Sequence, residues 1–217
     1  MNIEQARFNM IEQQIRPWDV LDQGVLSVLS VVRREDFVPP AYRSMAFVDT
    51  QVPLPNGQSM LAPKVEARLL QEVTVQRHDR VLEIGAGSGY MAAMLAHRGQ
   101  HVTTVEIDEE LAEFAAENLR RAWIMNATVL HADASRALPV EGPFDVIVLS
   151  GSVAEVPRSL LSELKPGGRL TAIVGQPPVM RALRMTRSSE SGFACVELFD
   201  TVAPRLAGFG EPSAFTF

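Results

Sequence analysis

The chain has 217 residues, 47% of them hydrophobic, a formal net charge of −6 and one cysteine. That length carries one domain with a sizeable core and room for an appendage. The acidic balance and the lack of a long basic run argue against a nucleic-acid partner, and no apolar run approaches the ~20 residues of a membrane span. A polar N-terminus, MNIEQARFNMIEQQIR, has no apolar signal core, and a lone Cys195 cannot form an internal disulfide, so cytoplasmic residence is expected. Cys195 itself is expected to be a small core residue in a β-like run.

In chain order, residues Ile3 to Ile15 are predicted to form an amphipathic helix with Phe8, Ile11 and Ile15 near one face. Pro17 ends it. A second helix is predicted over Val20 to Val32. A break at 33–40 and a Pro- and Gly-punctuated loop at 52–63 follow, then a helix over Lys64 to Val73 that starts behind Pro63. From 76 onward strand and helix alternate. Strands are expected at 80–85, 101–106, 127–131, 144–149 and 168–175, and helices at 89–98, 108–121 and 157–164. Such alternation predicts an α/β fold: a doubly wound, mostly parallel sheet covered on both faces. Two further β-like runs, Met180–Thr186 and Cys195–Leu198, complete seven strands in antiparallel sense. The division expected is a helical and acceptor-loop extension over 1–75 and a Rossmann-like core over 76–217.

The most informative stretch is Val81-Leu82-Glu83-Ile84-Gly85-Ala86-Gly87-Ser88-Gly89-Tyr90. An apolar strand runs into three alternate glycines and then into a good helix former, the unit that lays backbone against a nucleotide-like ligand. Tyr90 occupies the sixth position, where a dinucleotide fingerprint needs its third glycine, so that fingerprint fails. About twenty residues on, the strand His101–Glu106 ends in a carboxylate placed to accept from ribose hydroxyls. Asp133 and Ser150-Gly151-Ser152 follow two more predicted strands. Ligands of such sheets sit at the carboxyl ends of the strands, so Glu83, Glu106, Asp133 and Ser150 are expected on one rim. The histidines at 78, 97, 101 and 131 are scattered, and no metal-ligand spacing is present.

G-x-G-x-G behind Glu83 resembles the first motif of the class I S-adenosylmethionine (SAM) methyltransferases. That resemblance implies cofactor contacts from Glu83, Gly85, Ala86, Gly87, Ser88, Gly89, Glu106, Ile107, Asp133, Ala134 and Ser150. Several segments together resemble the protein-L-isoaspartate (D-aspartate) O-methyltransferases over nearly the whole chain. VVRREDFVP at 31–39 is similar to that family's V-P-R-x-x-F-V-P, NGQSMLAP at 56–63 stands at its G-x-G-Q-T-I-S-Q-P, and LKPGGRL at 164–170 matches its L-x-x-G-G-x-L. The resemblance implies SAM as methyl donor, a protein or peptide carboxylate as acceptor, Ser59 as the hydroxyl nearest the transfer, and a monomer or weak homodimer. Leu61 and Ala62 replace the family's Ser and Gln, which is expected to make the acceptor pocket more apolar. A different small-molecule or protein acceptor, and a SAM-binding protein without catalysis, therefore stand beside isoaspartyl methylation.

Overall fold

The computed structural model describes residues 2–210; Met1 and 211–217, the ends of the two predicted segments, lie outside the described residues. Helix α1 (Ile3–Met10) opens the chain with Asn2 as its cap, continues through a π turn at Ile11–Ile15, and ends in a 3-10 turn at Arg16–Trp18. Phe8 is exposed at 57%, contrary to expectation, while Arg7, Met10, Ile11 and Ile15 are buried. The π turn widens the helix at Ile11, and this irregularity displaces the face that a uniform 3.6-residue period predicts. Helix α2 (Gln23–Val31) starts later than Val20 because the Asp22 side chain caps it, accepting from the Val25 N–H at 2.8 Å.

Two short strands, β1 (Val52–Pro53) and β2 (Ser59–Met60), pair antiparallel and form a strap whose tip is Pro55–Gly57. Helix α3 (Pro63–Glu72) follows. The core comprises β3 (Arg80–Ile84), α4 (Tyr90–Ala96), β4 (His101–Glu106), α5 (Glu109–Arg121), β5 (Ala127–His131), β6 (Phe144–Val153), α6 (Arg158–Ser162), β7 (Leu164–Gln176), β8 (Val179–Arg187) and β9 (Phe193–Asp200). Its sheet has seven strands in the order β5-β4-β3-β6-β7-β8-β9. The five strands from β5 to β7 run parallel, and β8 and β9 add antiparallel hairpins at one edge.

Two expected boundaries move. β6 runs on through Ser150-Gly151-Ser152, because Ser152 still pairs with Ile173 of β7. β7 already begins at Leu164. Cys195 is exposed on the edge strand β9 and is not a core residue. One apolar cluster takes in Met10, Leu29 and Leu70 from the N-terminal helices together with Val81, Leu95 and Val146 from the sheet layers. Among the described residues no helix is long and apolar enough to cross a membrane.

A buried charge network joins the N-terminal helices to the core. Arg34 is fully buried and pairs with Glu66 of α3. Its other guanidinium nitrogen donates to the Leu61 carbonyl at 2.8 Å, and its carbon lies 4.9 Å from the centre of the Tyr90 ring. Alongside, Arg7 pairs with Glu35.

Candidate active site

The parallel strands end on one rim because their registers match: Ile84 faces Val105 on one side and Leu149 on the other, and Glu106 faces His131. The Gly-rich turn leaves β3 at this rim. Gly85 has φ +88 and Gly87 φ +53, left-handed values that an L side chain adopts only at a cost. A Cβ on Gly85 would lie 2.6 Å from Leu206, and one on Gly87 would lie 3.2 Å from Leu54. The alternate glycines are thus required by backbone conformation and by close approach together.

Glu106 fastens this turn. One of its oxygens accepts from the Gly87 N–H at 2.9 Å, the other from Ile107 at 2.9 Å and Asp108 at 3.2 Å. A carboxylate has about four acceptor positions, so Glu106 keeps capacity for one more donor. Beside it a cleft of about 340 Å³ opens, lined by Gly85, Gly87, Glu106, Ile107, Ala134 and Ser150 among the expected residues, and by Ser59 and Gln58 of the strap.

The remaining expected residues do not line the cleft. Ser88 and Ala86 are buried; the Ala86 carbonyl accepts from the Gly89 N–H at 2.7 Å, and the Ser88 carbonyl accepts from Asn118 at 2.8 Å. Gly89 packs on Ala115 of α5. Asp133 accepts from the Ser135 N–H at 3.0 Å and pairs with Arg136. The Ser135 hydroxyl, more than the neighbouring charge, holds its carboxyl below the ordinary range. Asp133 shapes the turn that presents Ala134.

Glu83 lies a layer deeper, fully buried, and reaches the cleft through Ser150, whose hydroxyl donates to it at 2.6 Å. Among the described residues its second oxygen makes no hydrogen bond of regular geometry, the Thr104 hydroxyl beside it helping only weakly to hold the carboxyl down. Burial pushes the Glu83 carboxyl up to about 8, opposed first by the Ser150 hydroxyl. An acid whose folded pKa exceeds its ordinary 4.5 binds more protons folded than unfolded. Its contribution is complete below about 4.5 and is lost as pH rises toward about 8. The urea midpoint should therefore decline across that window and decline less in Glu83→Gln. Parallel pH profiles for parent and variant would contradict this.

The strap, expected to be the acceptor loop, also contributes Leu54 and Asn56, and the chain after β9 adds a wall not expected from sequence, Leu206, Ala207 and Phe209. That last segment is held against β6: the Ser152 N–H donates to the Pro204 carbonyl at 2.7 Å, and the Leu206 N–H to the Ser152 carbonyl at 2.9 Å. The strap is anchored at its tip, where the Asn56 amide donates to Asp108 at 2.7 Å and to Glu110 at 3.3 Å. At its base the Ser59 hydroxyl donates to Gln51 at 3.3 Å. Leu61 does not face the cleft. Its side chain is 3% exposed within the main apolar cluster, and the expected apolar change of the acceptor pocket does not arise at this position.

The cleft can take an elongated, partly cationic ligand. Its walls are apolar at Ile84, Val105, Leu111 and Phe209, and its charged lining, among the described residues, consists of the carboxylates Glu106 and Asp108. The Glu83 oxygen left without a regular hydrogen bond behind Ser150 and the side-chain-free approach at Gly85 and Gly87 fit a SAM-like group.

The sheet order and this rim define a Rossmann-like methyltransferase, a fold shared with a Plasmodium falciparum structure described as a protein-L-isoaspartate O-methyltransferase in complex with S-adenosyl-L-homocysteine (TM-score 0.78, 21% identity, 95% of this chain and 98% of that one). Residues 5–201 match the protein-L-isoaspartate(D-aspartate) O-methyltransferase family. The chain is 40% identical over 192 residues to the protein-L-isoaspartate O-methyltransferase of Rhodopseudomonas palustris, covering 88% of each. It is 38% identical over 169 residues to that of Methanoculleus marisnigri, covering 78% of this chain and 77% of the other. The chain belongs to this family and is a SAM-dependent methyltransferase.

Proposed function

We propose that the chain transfers the methyl group of SAM to the free α-carboxylate of isoaspartyl residues in polypeptides, within the cleft at the carboxyl rim. The observation that carries this reading is the meeting of two surfaces across one cleft: the Gly85–Gly87 turn with Glu106 on the donor side, and the strap residues Gln58 and Ser59 on the acceptor side. Gly85, Gly87, Ile107, Ala134 and Ser150 would hold the donor, with Glu106 receiving ribose hydroxyls and Glu83 acting through Ser150. Ala86, Ser88, Gly89 and Asp133 would hold the turns that shape this wall.

Bound SAM supplies an electrophilic sulfonium methyl. The acceptor carboxylate, with an ordinary pKa of about 4, is ionised at neutral pH and needs no general base. The protein's work is alignment and exclusion of water. Gln58 offers a neutral amide donor, and the Ser59 hydroxyl becomes a second by turning from Gln51 to the substrate; neutral donors orient a carboxylate without pairing its charge and so leave it nucleophilic. Leu54, Leu206 and Phe209 close the cleft against solvent. The acidic lining and the net charge of −6 support a polypeptide over a nucleic-acid substrate. The single cysteine supports a cytoplasmic setting; a monomer or weak homodimer suffices, since one chain supplies both sides of the cleft.

The test uses SAM labelled in its methyl group with an isoaspartyl peptide and its ordinary aspartyl counterpart. Base-labile label on the first and none on the second is expected; label on neither would refute the reading. Because Leu61 is a core residue, Leu61→Ser should cost about 3 kcal/mol of stability and leave the kcat/KM of the folded enzyme on the isoaspartyl peptide near the parent's. Urea unfolding and steady-state kinetics read the two effects, and a marked rise in kcat/KM would place Leu61 in the acceptor site after all.

A further inference from the structure

Gln51 stands just ahead of β1, half-buried, and its side chain bridges two walls of the cleft. Its amide nitrogen donates to the Val202 carbonyl at 2.9 Å, and its amide oxygen accepts from the Ser59 hydroxyl at 3.3 Å. A carbonyl can only accept, so Val202 takes the amide N–H and the amide oxygen is left for Ser59. The Ser59 proton therefore points to Gln51, which does not line the cleft, while Ser59 does. The Val202 end of this bridge is firm. The Thr201 N–H donates to the Met180 carbonyl at 3.1 Å and the Ser152 hydroxyl to the Ala203 carbonyl at 3.0 Å, and Leu206 a few residues on lines the cleft.

We infer that Gln51 is a positioning residue for the methyl acceptor: its neutral amide parks the Ser59 hydroxyl and fastens the Val202 wall, so that an arriving carboxylate meets a donor free to turn and no charge that repels it. This rests on the acceptor assigned above. At 3.3 Å the bond from Ser59 is long for a hydroxyl donor, whose usual distance is about 2.7–2.8 Å. An uncharged amide oxygen holds that proton loosely, and a substrate carboxylate, being ionised, is the stronger acceptor. The hydroxyl turns to the substrate while the amide N–H stays on Val202, so the wall does not move with it.

The neutrality of position 51 is what the assignment turns on. An ionised glutamate there would hold the Ser59 proton as a charged acceptor, stand as a like charge beside the substrate carboxylate, and have no proton for Val202. A protonated glutamate, by contrast, carries one O–H donor and one carbonyl acceptor, the pair that the amide uses here. The charges flanking Gln51 in sequence are already matched, since Asp49 pairs with Lys64 at 2.7 Å. A titration introduced at 51 therefore reads the side chain at 51 and its partners Ser59 and Val202.

The full-length chain is compared with Gln51→Glu and Gln51→Met on the isoaspartyl peptide from about pH 5 to about pH 8, each variant against the parent at the same pH so that the acceptor's own titration cancels. For Gln51→Glu the KM for peptide should stand at least about tenfold above the parent's at the alkaline end, with kcat and the calorimetric affinity for SAM near the parent's. That ratio should shrink toward the acid end as the new carboxyl, with an ordinary value of about 4.3, gains its proton. In Gln51→Met, which carries neither partner, the ratio should be flat with pH, and amide hydrogens of 201–206 should exchange faster than in the parent. A Gln51→Glu ratio near one throughout, or raised equally at every pH, would overturn the proposal, as would a matching fall in SAM affinity or unchanged exchange at 201–206. A parent enzyme inert on the peptide would refute the assigned acceptor instead, and the exchange would still decide whether Gln51 holds the Val202 wall.

Discussion

Gly87→Leu should abolish measurable SAM binding while leaving the sheet folded. Gly87 lines the cleft, donates its N–H to Glu106 at 2.9 Å, and holds φ +53. A leucine there meets three penalties. The left-handed backbone costs about 1–2 kcal/mol for a residue with a Cβ. The Cβ is already 3.2 Å from Leu54. The rest of the side chain has only the cleft to enter. A loss of affinity of at least about 100-fold by calorimetric titration is expected, which is about 2.8 kcal/mol. Affinity equal to the parent's would mean that the donor lies elsewhere.

The second large effect is at Arg34. Arg34→Met keeps much of the side-chain volume but removes the cation paired with the buried Glu66 and the donor to the Leu61 carbonyl. Breaking one side of a buried pair costs about 3–5 kcal/mol, a large share of the ~5–15 kcal/mol that holds a domain together. The loss should depend on pH. Burial pushes the Glu66 carboxyl up to about 7 even with Arg34 holding it down. An acid raised in the folded state stabilises below its ordinary 4.5, and that contribution is lost as pH rises through about 7. Without Arg34 the folded value rises further, so the deficit against the parent should widen from acidic to mildly alkaline conditions in urea unfolding. The double variant Arg34→Met, Glu66→Leu should recover much of the loss, since no charge is then left unpaired. A deficit that is small and independent of pH would contradict this account of the network.

Much of the cleft's Gly-rich wall was legible because its signals are local. Three alternate glycines after an apolar strand are needed for positive φ and close approach, and a parallel sheet delivers Glu106, Ala134 and Ser150 to the same rim. The depth of each residue was not legible. Glu83 and Ser88 belong to the motif in sequence, yet they are buried behind the cleft wall, because spacing along a strand says which end a residue is near and not which layer it occupies; Asp133 is partly exposed and is turned to Ser135 and Arg136. Leu61 was misplaced in the same way: its position in the motif is right, but its side chain turns into the core while its carbonyl meets Arg34.

The other walls were hidden for a different reason. Leu206 and Phe209 reach the cleft through hydrogen bonds between Ser152 and the segment 203–206, about fifty residues apart, and a pairing at that distance leaves no periodic trace. The segment of Leu54 and Asn56 reads as a Pro- and Gly-rich loop that runs into the acceptor motif at 56–63, with neither residue marked as lining the cleft. Their closeness to Gly87 and to α5 exists only once the strap has folded across the rim.

The central claim is that one cleft brings the methyl donor on the Gly-rich turn to the acceptor on the strap. A crystal structure of the enzyme with S-adenosyl-L-homocysteine and an isoaspartyl peptide tests it most directly. The account predicts the ribose hydroxyls on Glu106 and the isoaspartyl carboxylate beside Ser59, with the sulfur between them. A nucleoside bound away from Glu106, or a peptide carboxylate lodged outside the cleft walled by Leu54 and Leu206, would contradict it.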